Sequence, residues 1–569
     1  MPTDRSARAP SPVSEAPLAH RPPGRRFPRP RPALLVLLLA AAVPALLGAQ
    51  DPAPGRATIR AAELRRDVAD LASDARRGRL TGTPENQATV ELIRSRFERL
   101  GLAPPAGDGF LQPFDLIVPS LGPADANSLT VHAPGEPPAP ARLGSDFYPE
   151  RFSAATAVRG AVTFVGFGIS APALGHDDYD GADVAGRVVL VLSHEPAEYD
   201  AASPFDGTFL SDHARNVLKA REAARRGAAA MLVVTDVHNH GGGEALAGRM
   251  GRAWPDAPRR PPRYELGAWV DASGIPAARI APRLAARLLG VTERGFERLA
   301  ERAEEAAFTP VASDVEVALD VAVTRRRITL HNVVGLLAGF DPELREEWVI
   351  VGAHLDHEGA RGARVYAGAD DNASGVAGVL AIAAAAARAA QGGARPRRSI
   401  LFAAWNAEER GLLGSWSYVE RPLAPLARTV AALNLDMIGR DEEVPARGGS
   451  RFRGLPVQSA AANRNAVNVL GYSFSRDLRD AAEAADSLGL TVRFRYDDSR
   501  SNLVRRSDHW PFLARGVPAL FIHTGLHPDY HTPGDRPDKL NYDKMARIVR
   551  WTHQLAWNLA NADGRPSLD

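Results

Sequence analysis

The sequence predicts an α/β protein, a three-layer sandwich in which a mostly parallel central sheet lies between layers of helices. Four nearly continuous apolar runs support this fold class, because strands with both faces covered have that pattern: EEWVIVGAHLD, RSILFAAWNAEE, VAALNLDMIG and GVPALFIHTG. Segments with helical periodicity alternate with these runs, which is the order expected of a parallel α/β sheet. Such sheets place their active sites at the carboxyl ends of the strands.

Length and composition limit the function classes. A chain of 569 residues is too long for one hydrophobic core and predicts roughly three or four domains. Lys and Arg total 69 against 67 Asp and Glu, and a net charge of +2 provides no field for binding nucleic acid. The absence of cysteine excludes disulfides, thiolate metal sites and cysteine nucleophiles.

The N-terminus predicts export. Residues 1–49 contain a basic, Pro-rich leader followed by the apolar run ALLVLLLAAAVPALLGA, which has the length and character of a signal peptide. The run is short for a membrane span and is interrupted by Pro44. We therefore expect cleavage near Ala49 and a secreted or periplasmic protein. An uncleaved membrane anchor is the alternative, because Leu47 is larger than the residue usually found at its position before a cleavage site. The mature chain shows no other candidate span.

Three regions follow the predicted signal peptide. Residues 50–149 are interpreted as the N-terminal part of the catalytic domain, with two amphipathic helices within 60–102 and a second helix starting at Thr83 and Pro84. Residues 150–300 alternate apolar runs with a helical segment and form a separate β/α module. Residues 301–569 carry the strands described above. The module is expected to contain no ligand cluster of its own, and to act as a lid, a partner surface or a passive insertion.

Acidic and imidazole side chains follow each predicted strand of the third region. Any one of them has an ordinary structural explanation, such as a helix cap or a solvated surface pair, but together they indicate one shared site. Two divalent ions need a bridging carboxylate and, for each ion, an imidazole and a further carboxylate. The candidates are His354, Asp356, Asp371, Glu408, Glu409, Asp436 and His531.

Five motifs carry a resemblance to a known family. In their order along the chain, GAHLDH, GADDNASG, NAEERGLLGS, NLDMIGR and HPDYHTPGDRPDKL resemble the di-zinc aminopeptidases, secreted and vacuolar zinc exopeptidases, in the branch that carries a protease-associated domain. The resemblance covers about residues 320–560, and residues 60–115 look like the family's N-terminal helices. The segment DDYDGADVAGRVVLVL resembles the inserted protease-associated domain, which assigns residues 150–300 to it.

The resemblance implies a role for each residue. Two Zn²⁺ ions per chain are expected, one held by His354 and Asp436 and the other by Glu409 and His531, with Asp371 as the bridge. Glu408 is expected to act as the general base. Asp356 is expected to accept the second ring N–H of His354, and Tyr530 to stabilise the oxyanion. Asp370 is expected to be a neighbour of the ligands, and Asp508 and His509 to be structural. Further roles stay open for His357, His509, His523 and His527.

The implied activity is removal of N-terminal residues from peptide substrates, with a preference for apolar first residues. A carboxypeptidase of the glutamate-releasing type and a glutaminyl cyclase are alternatives on the same fold, and a non-catalytic receptor-like protein is a third. Carboxylates near the metals would suit a terminal amine, whereas arginines would suit a terminal carboxylate. The sequence does not predict the oligomeric state. It offers both groups near the motifs: the acids Asp370, Glu408, Asp508 and Asp529, and the arginines Arg500, Arg505 and Arg506.

Overall fold

The computed structural model describes residues 52–105, 109–240, 245–257 and 261–569. The predicted signal peptide, residues 1–49, lies outside this part of the chain. Within it, strands and helices alternate along most of the chain, joined by short 3₁₀ turns. The strands are β1 (Leu111–Leu121), β2 (Ser128–His132), β3 (Ala139–Pro140), β4 (Phe147–Pro149), β5 (Ala157–Phe164), β6 (Ser170–Ala171), β7 (His176–Asp177), β8 (Val188–Leu192), β9 (Ala230–Val234), β10 (Glu265–Leu266), β11 (Ala277–Ile280), β12 (Val311–Asp320), β13 (Val323–Leu337), β14 (Trp348–His354), β15 (Ala360–Arg361), β16 (Arg364–Val365), β17 (Ser399–Trp405), β18 (Thr429–Leu435), β19 (Ala466–Leu470), β20 (Thr491–Phe494) and β21 (Ala519–His523).

The helices include the two predicted near the N-terminus. Thr83 caps the second of these, where its side chain accepts a hydrogen bond from the Asn86 backbone N–H, as the sequence predicts. The helices are α1 (Ala61–Leu71), α2 (Pro84–Arg99), α3 (Asn216–Arg225), α4 (Leu246–Ala253), α5 (Gly267–Ser273), α6 (Pro282–Leu288), α7 (Glu293–Arg302), α8 (Gly375–Gln391), α9 (Leu413–Glu420), α10 (Arg476–Ala484), α11 (Trp510–Leu513) and α12 (Tyr542–Asn561).

A nine-stranded mixed sheet forms the larger layer, in the order β10-β1-β13-β17-β14-β18-β21-β19-β20. The four strands predicted from apolar runs, β17, β14, β18 and β21, are its parallel centre. Strands β1, β13 and β19 pair antiparallel on the two flanks. The α/β fold class is therefore confirmed, and the sheet is parallel at its centre.

Helices cover both faces of this sheet, which explains why its central strands are apolar throughout. Along β14, Val349 and Val351 pack into the core that contains α1, α2, α8 and α12. Ile350, between them, packs into the opposite core with Trp416 and Phe512. Successive side chains of a strand point to opposite faces, so every position of β14 is buried. The three layers predicted from the sequence follow from this arrangement.

A second, eight-stranded sheet lies in the order β3-β2-β12-β5-β8-β9-β11-β4. Strands β5, β8, β9 and β11 are parallel. The sheet starts at Ser128 and ends at Asp320, so it is wider than the predicted module of residues 150–300. One piece of that segment belongs elsewhere, because β10 pairs with β1 of the nine-stranded sheet. The assignment of this region to a protease-associated domain stays a prediction.

One helical stretch, Ala369–Gln391, has the length and apolar composition of a membrane span. It contains α8, and 78% of its most apolar window is buried inside the fold. Gly378 of this helix approaches Leu435 and Ile438 closely, so α8 packs directly on the central sheet. The apolar character of α8 is explained by this packing.

Candidate metal centre

The predicted ligands lie at one edge of the nine-stranded sheet. Strands β14, β17, β18 and β21 are parallel, so their carboxyl ends and the loops after them meet at the same edge. His354 is the last residue of β14, and Asp436 directly follows β18. Glu408 and Glu409 follow β17, and Asp371 precedes α8. The fold therefore brings together residues that are far apart in the sequence.

Two groups of ligand-type atoms share Asp371. In the first, His354 Nε2 lies 3.3 Å from Asp371 Oδ1 and 3.3 Å from Asp436 Oδ1. In the second, His531 Nε2 lies 3.0 Å from Asp371 Oδ2 and 3.3 Å from Glu409 Oε2. One oxygen of Asp371 thus belongs to each group. This is the position of a carboxylate that bridges two metal ions.

The donor set fits divalent metal ions. His354 Nε2 and Asp436 Oδ1 are buried and make no hydrogen bond to another described residue. Buried polar atoms are almost always paired, so these two atoms indicate a missing partner of positive charge. Imidazole and carboxylate ligands are the types that Zn²⁺ binds. The predicted ligands therefore form a donor set that fits divalent metal ions such as zinc.

The electrostatics of the site favour a charged bridge. Burial opposes ionisation of Asp371, but the rings of His357, His354 and His531 hold its pKa well below the ordinary value. Burial also opposes ionisation of Glu409, whose pKa is nevertheless lowered by His531 and His357. Both carboxylates are therefore anionic at neutral pH, as metal ligands must be.

Glu408 differs from its neighbour Glu409. Burial raises the pKa of Glu408 well above the ordinary value for Glu, and the nearby Glu409 carboxylate adds to this increase. Its Oε2 lies 3.9 Å from His354 Nε2, outside both ligand groups. Glu408 instead lines a cavity of about 380 Å³ together with Glu409 and Tyr530. A carboxylate that faces the substrate cavity beside the metals is placed to exchange a proton.

The contacts of Asp356 specify its predicted role. The ring nitrogen Nδ1 of His354 lies 3.2 Å from the backbone oxygen of Asp356, so the carbonyl rather than the carboxylate orients the ring. The carboxylate accepts hydrogen bonds from the Glu408 backbone N–H at 3.0 Å and from the Thr81 hydroxyl at 2.8 Å. The side chain of Asp356 therefore positions Glu408. The two-residue spacing placed Asp356 beside His354 but could not show which oxygen faces the ring.

Tyr530 lies at the edge of the site. It lines a narrow inner pocket with Asp371, Glu408 and Asp436, and its ring centroid is 3.9 Å from that of His531. Burial raises the pKa of Tyr530 well above the ordinary value, and the nearby Asp371 carboxylate adds to this increase. The phenol is therefore neutral and able to donate a hydrogen bond into the pocket.

Several residues whose roles the sequence left open now have contacts. Nδ1 of His357 lies 2.7 Å from Glu409 Oε1, so His357 supports a ligand. Nδ1 of His523 lies 3.0 Å from the Asp436 backbone oxygen.

His509 stacks on Phe521, and the Asp508 carboxylate accepts a hydrogen bond from Ser415, as expected of structural residues. His527 contacts Asp370, whose Oδ1 accepts the Gly439 backbone N–H, so Asp370 faces away from the ligands.

Comparison with known proteins points to one family. Residues 332–556 match the model of peptidase family M28. They contain all five predicted metal ligands and Glu408, so the resemblance to zinc exopeptidases is confirmed at the level of the family.

Similar proteins carry more than one activity in their names. The chain is 31% identical over 217 residues to probable glutamate carboxypeptidase AMP1 of Arabidopsis thaliana, covering 37% of this chain and 27% of that one. It is 39% identical over 131 residues to aminopeptidase NAALADL1 of Mus musculus, covering 22% and 16%. The matches thus span about a quarter or less of these curated relatives. The structure also aligns with that of an aminopeptidase from Aneurinibacillus sp. strain AM-1. The alignment covers 90% of this chain and 97% of that one, at 20% identity and a TM-score of 0.42.

Two residues that support the candidate metal centre were not identified from the sequence. The Asp535 carboxylate accepts the backbone N–H groups of Asp370 and Asp371, each at 3.0 Å. The buried guanidinium of Arg79 donates to the carbonyls of Leu71, Leu355, Ala367 and Gly368 at 2.6 to 3.0 Å. These bonds join the loop after β14 to the loop that carries Asp371. Asp535 lies in the last recognised motif, which was a usable signal, whereas Arg79 lies in a run of arginines typical of a solvated surface.

The expectation that residues 150–300 hold no ligand cluster is wrong. The structure brings His194, Glu198 and His240 together at the carboxyl ends of β8 and β9, in the eight-stranded sheet. His194 and His240 are 46 positions apart, so no local motif revealed the cluster.

Proposed function

We propose that the protein is a di-zinc exopeptidase that removes residues from the N-terminus of peptides. The observation that carries this proposal is the position of Asp371, with one carboxylate oxygen in each of two His–carboxylate groups. Next to these groups, Glu408 faces the cavity without belonging to either. A non-catalytic relative would have no need to keep this full arrangement.

The residues divide into metal holders and a proton carrier. His354 and Asp436 would hold one zinc ion, Glu409 and His531 the other, and Asp371 would bridge them. Zinc bound there supplies a Lewis acid that polarises the scissile carbonyl and lowers the pKa of a bound water. The Glu408 carboxylate would accept the proton of the attacking water and donate it to the leaving amine. The high pKa that burial gives Glu408 suits it to hold that proton between the two steps.

Glu408 and Glu409 support the amine end of the substrate as the one recognised. Of the four acids that the sequence offered, Asp370, Asp508 and Asp529 are engaged with other protein groups. Glu408 remains in the cavity, with Glu409 next to it. A protonated terminal amine would meet the Glu408 carboxylate at the cavity wall, since Glu409 would be bound to a zinc ion.

The second sheet also contributes to this cavity. Leu210, Asp212 and Arg215, from the segment between β8 and α3, line it together with Glu408. Arg505 donates hydrogen bonds to Asp206 and the Leu210 carbonyl, and the indole N–H of Trp510 donates to Asp212 at 3.1 Å. We infer that this region covers the bound peptide and restricts the cavity to a chain end.

A carboxypeptidase is the second candidate, because Arg506 lines the cavity beside Glu408 and Tyr530. Arg505 also lines this cavity but is engaged with Asp206 and Leu210, and Arg500 is exposed and does not line it. A single guanidinium can hold a terminal carboxylate by two parallel hydrogen bonds.

Two peptides of the same sequence decide the direction. The first has a free amine and an amidated C-terminus, and the second is acetylated and has a free carboxylate. We expect stepwise loss of residues from the N-terminus of the first peptide, fastest for apolar first residues, and no cleavage of the second. Trimming of the acetylated peptide from its C-terminus, abolished by Arg506→Gln, would instead establish the carboxypeptidase. The variant Arg500→Gln is the matched control for a surface arginine.

We also propose that the protein is exported and that its mature form begins near residue 50. Mass spectrometry of exported material should give a chain that lacks residues 1–49. Recovery of the intact N-terminus in a membrane fraction would favour the anchored alternative.

A further inference from the structure

The eight-stranded sheet carries a second cluster of metal-ligand side chains. Nδ1 of His194 lies 2.8 Å from Nε2 of His240 and 2.8 Å from Oε2 of Glu198. The other carboxylate oxygen of Glu198 lies beside His240 Nε2. His194 and Glu198 come from the loop after β8 and His240 from the loop after β9, and these two strands are parallel neighbours. The cluster therefore occupies the carboxyl edge of its own sheet.

Protons cannot satisfy all the contacts among these three groups. If both rings donate an N–H to Glu198, the two N–H groups face each other across the 2.8 Å between His194 Nδ1 and His240 Nε2. Glu198 is buried, with its side chain 5% exposed, and each of its oxygens faces one of these imidazole nitrogens. A buried carboxylate needs a positive partner. A divalent ion would bind all three groups at once.

The composition of the cluster suits a metal. Neutral imidazole is the form that binds metal ions. Two imidazoles and one carboxylate form a ligand set used for zinc, which leaves a further position for water or another ligand. The side chains of His194 and His240 are 36% and 25% exposed, so that position is reached from solvent.

Neighbouring side chains hold both loops in place. Lys219 Nζ donates to the backbone oxygens of Leu192 and His194. The Glu304 carboxylate accepts from the Ala197 backbone N–H at 2.5 Å and from the Asn239 side chain at 2.6 Å, which ties one loop to the other. Asp236 accepts from the His238 backbone N–H at 3.0 Å and so fixes the turn before His240. The three ligand groups are thus preorganised by surrounding bonds, as in established metal sites.

We propose that His194, Glu198 and His240 bind a zinc ion in the second sheet, separate from the catalytic metals. The ligand class is a dication of borderline softness, for which imidazole and carboxylate are suitable ligands. The site lies at the end of β8, from which the chain continues to the cavity-lining residues Leu210 and Asp212. An ion there would stabilise the two loops relative to each other.

The test uses the full chain with its catalytic site disabled, so that the catalytic metals do not contribute. His354→Ala combined with Asp371→Asn provides that background. Elemental analysis after dialysis should still find zinc bound, and the further change His194→Ala with His240→Ala should remove about one ion per chain. His238→Ala removes an exposed imidazole from the same loop and should leave the zinc content unchanged.

A second measurement distinguishes the loss of a metal ligand from misfolding of the variant. Added ZnCl₂ should raise the Tm of the background protein, because an ion that binds only the folded state stabilises it. Glu198→Gln keeps the size of the side chain but loses the anionic ligand, and it should abolish this rise while circular dichroism stays unchanged. Zinc content and Tm response that are the same with and without His194 and His240 would overturn the proposal and leave the cluster as a hydrogen-bond network.

Discussion

The catalytic centre and the second cluster are supported by buried cations of different chemistry. Arg79 lies behind the catalytic loops and Lys219 behind the loop that carries His194, and each donates to backbone carbonyls. Burial lowers the pKa of Arg79 to about 10, so its guanidinium keeps its charge at physiological pH. Burial lowers the pKa of Lys219 to about 7, so its ammonium titrates there.

The difference shows how two similar arrangements respond differently to pH. A guanidinium has five N–H donors in a rigid plane, and Arg79 uses them to join four carbonyls of three segments. An ammonium is a point charge with three donors, and Lys219 joins two carbonyls of one loop. We therefore expect Arg79 to keep its charge between pH 7 and 9 and Lys219 to lose its charge over the same range.

The largest expected effect is on the bridge of the catalytic centre. Asp371→Asn removes the charge shared by the two ligand groups, so activity should fall by at least about a thousandfold. Substitution of a residue that only hydrogen-bonds to a metal ligand costs about ten- to a hundredfold, which is less. Zinc content should fall with it. Asp370→Asn, one position earlier, is the control, because its Oδ1 can still accept the Gly439 N–H. Equal losses from the two variants would contradict the assignment of Asp371 as the bridge.

A smaller effect, on the free energy of unfolding, is expected when the buried Arg79 behind the catalytic loops is replaced. Arg79→Met leaves four buried carbonyls without their donor, and we expect the free energy of unfolding to fall by about 3 kcal/mol or more. Urea denaturation gives this value. Arg77→Met, which removes an arginine with an exposed side chain, should change it by less than about 0.5 kcal/mol. If the two variants were equally stable, the bonds of Arg79 would have no structural role.

The smallest effect tests the cation behind the second cluster. The pKa of Lys219 is about 7 in the folded protein against an ordinary 10.5, so the unfolded chain binds more protons between these values. The free energy of unfolding should therefore rise with pH in this window, by at most about 1.4 kcal/mol per pH unit from this group.

Denaturation of Lys219→Met between pH 7 and 9 measures this contribution. The variant should show a flatter dependence of unfolding free energy on pH than the parent. Lys539→Met removes a more exposed ammonium and should keep the parent's slope. A parent slope retained in Lys219→Met would show that the titrating group lies elsewhere.

The sequence predicted the parts of the fold and site that are encoded locally. The four central strands were found because strands buried on both faces are apolar throughout, and β14 is an example. The candidate metal ligands were predicted because each lies in one of the short motifs that carry the family resemblance. His354 and His531 come together with Asp371 in the structure as these motifs implied.

The rest depends on contacts between distant segments. The choice between the carbonyl and the carboxylate of Asp356 is decided by side-chain torsions that spacing does not specify. The second sheet extends beyond the predicted module because β12 pairs with β2 and β5 across long stretches of chain. His194 meets His240 only because β8 and β9 are neighbours. None of these pairings leaves a periodic or local signal.

Two zinc ions bound through Asp371 are proposed to act together with Glu408 as the proton carrier, and the variant Glu408→Gln tests this mechanism. Zinc content and turnover are measured on the same preparation of Glu408→Gln. We expect zinc content equal to that of the parent and a kcat lower by about a hundredfold or more, the scale of a lost general base. Near-normal turnover, or a loss of zinc as large as that caused by Glu409→Ala, would contradict the account.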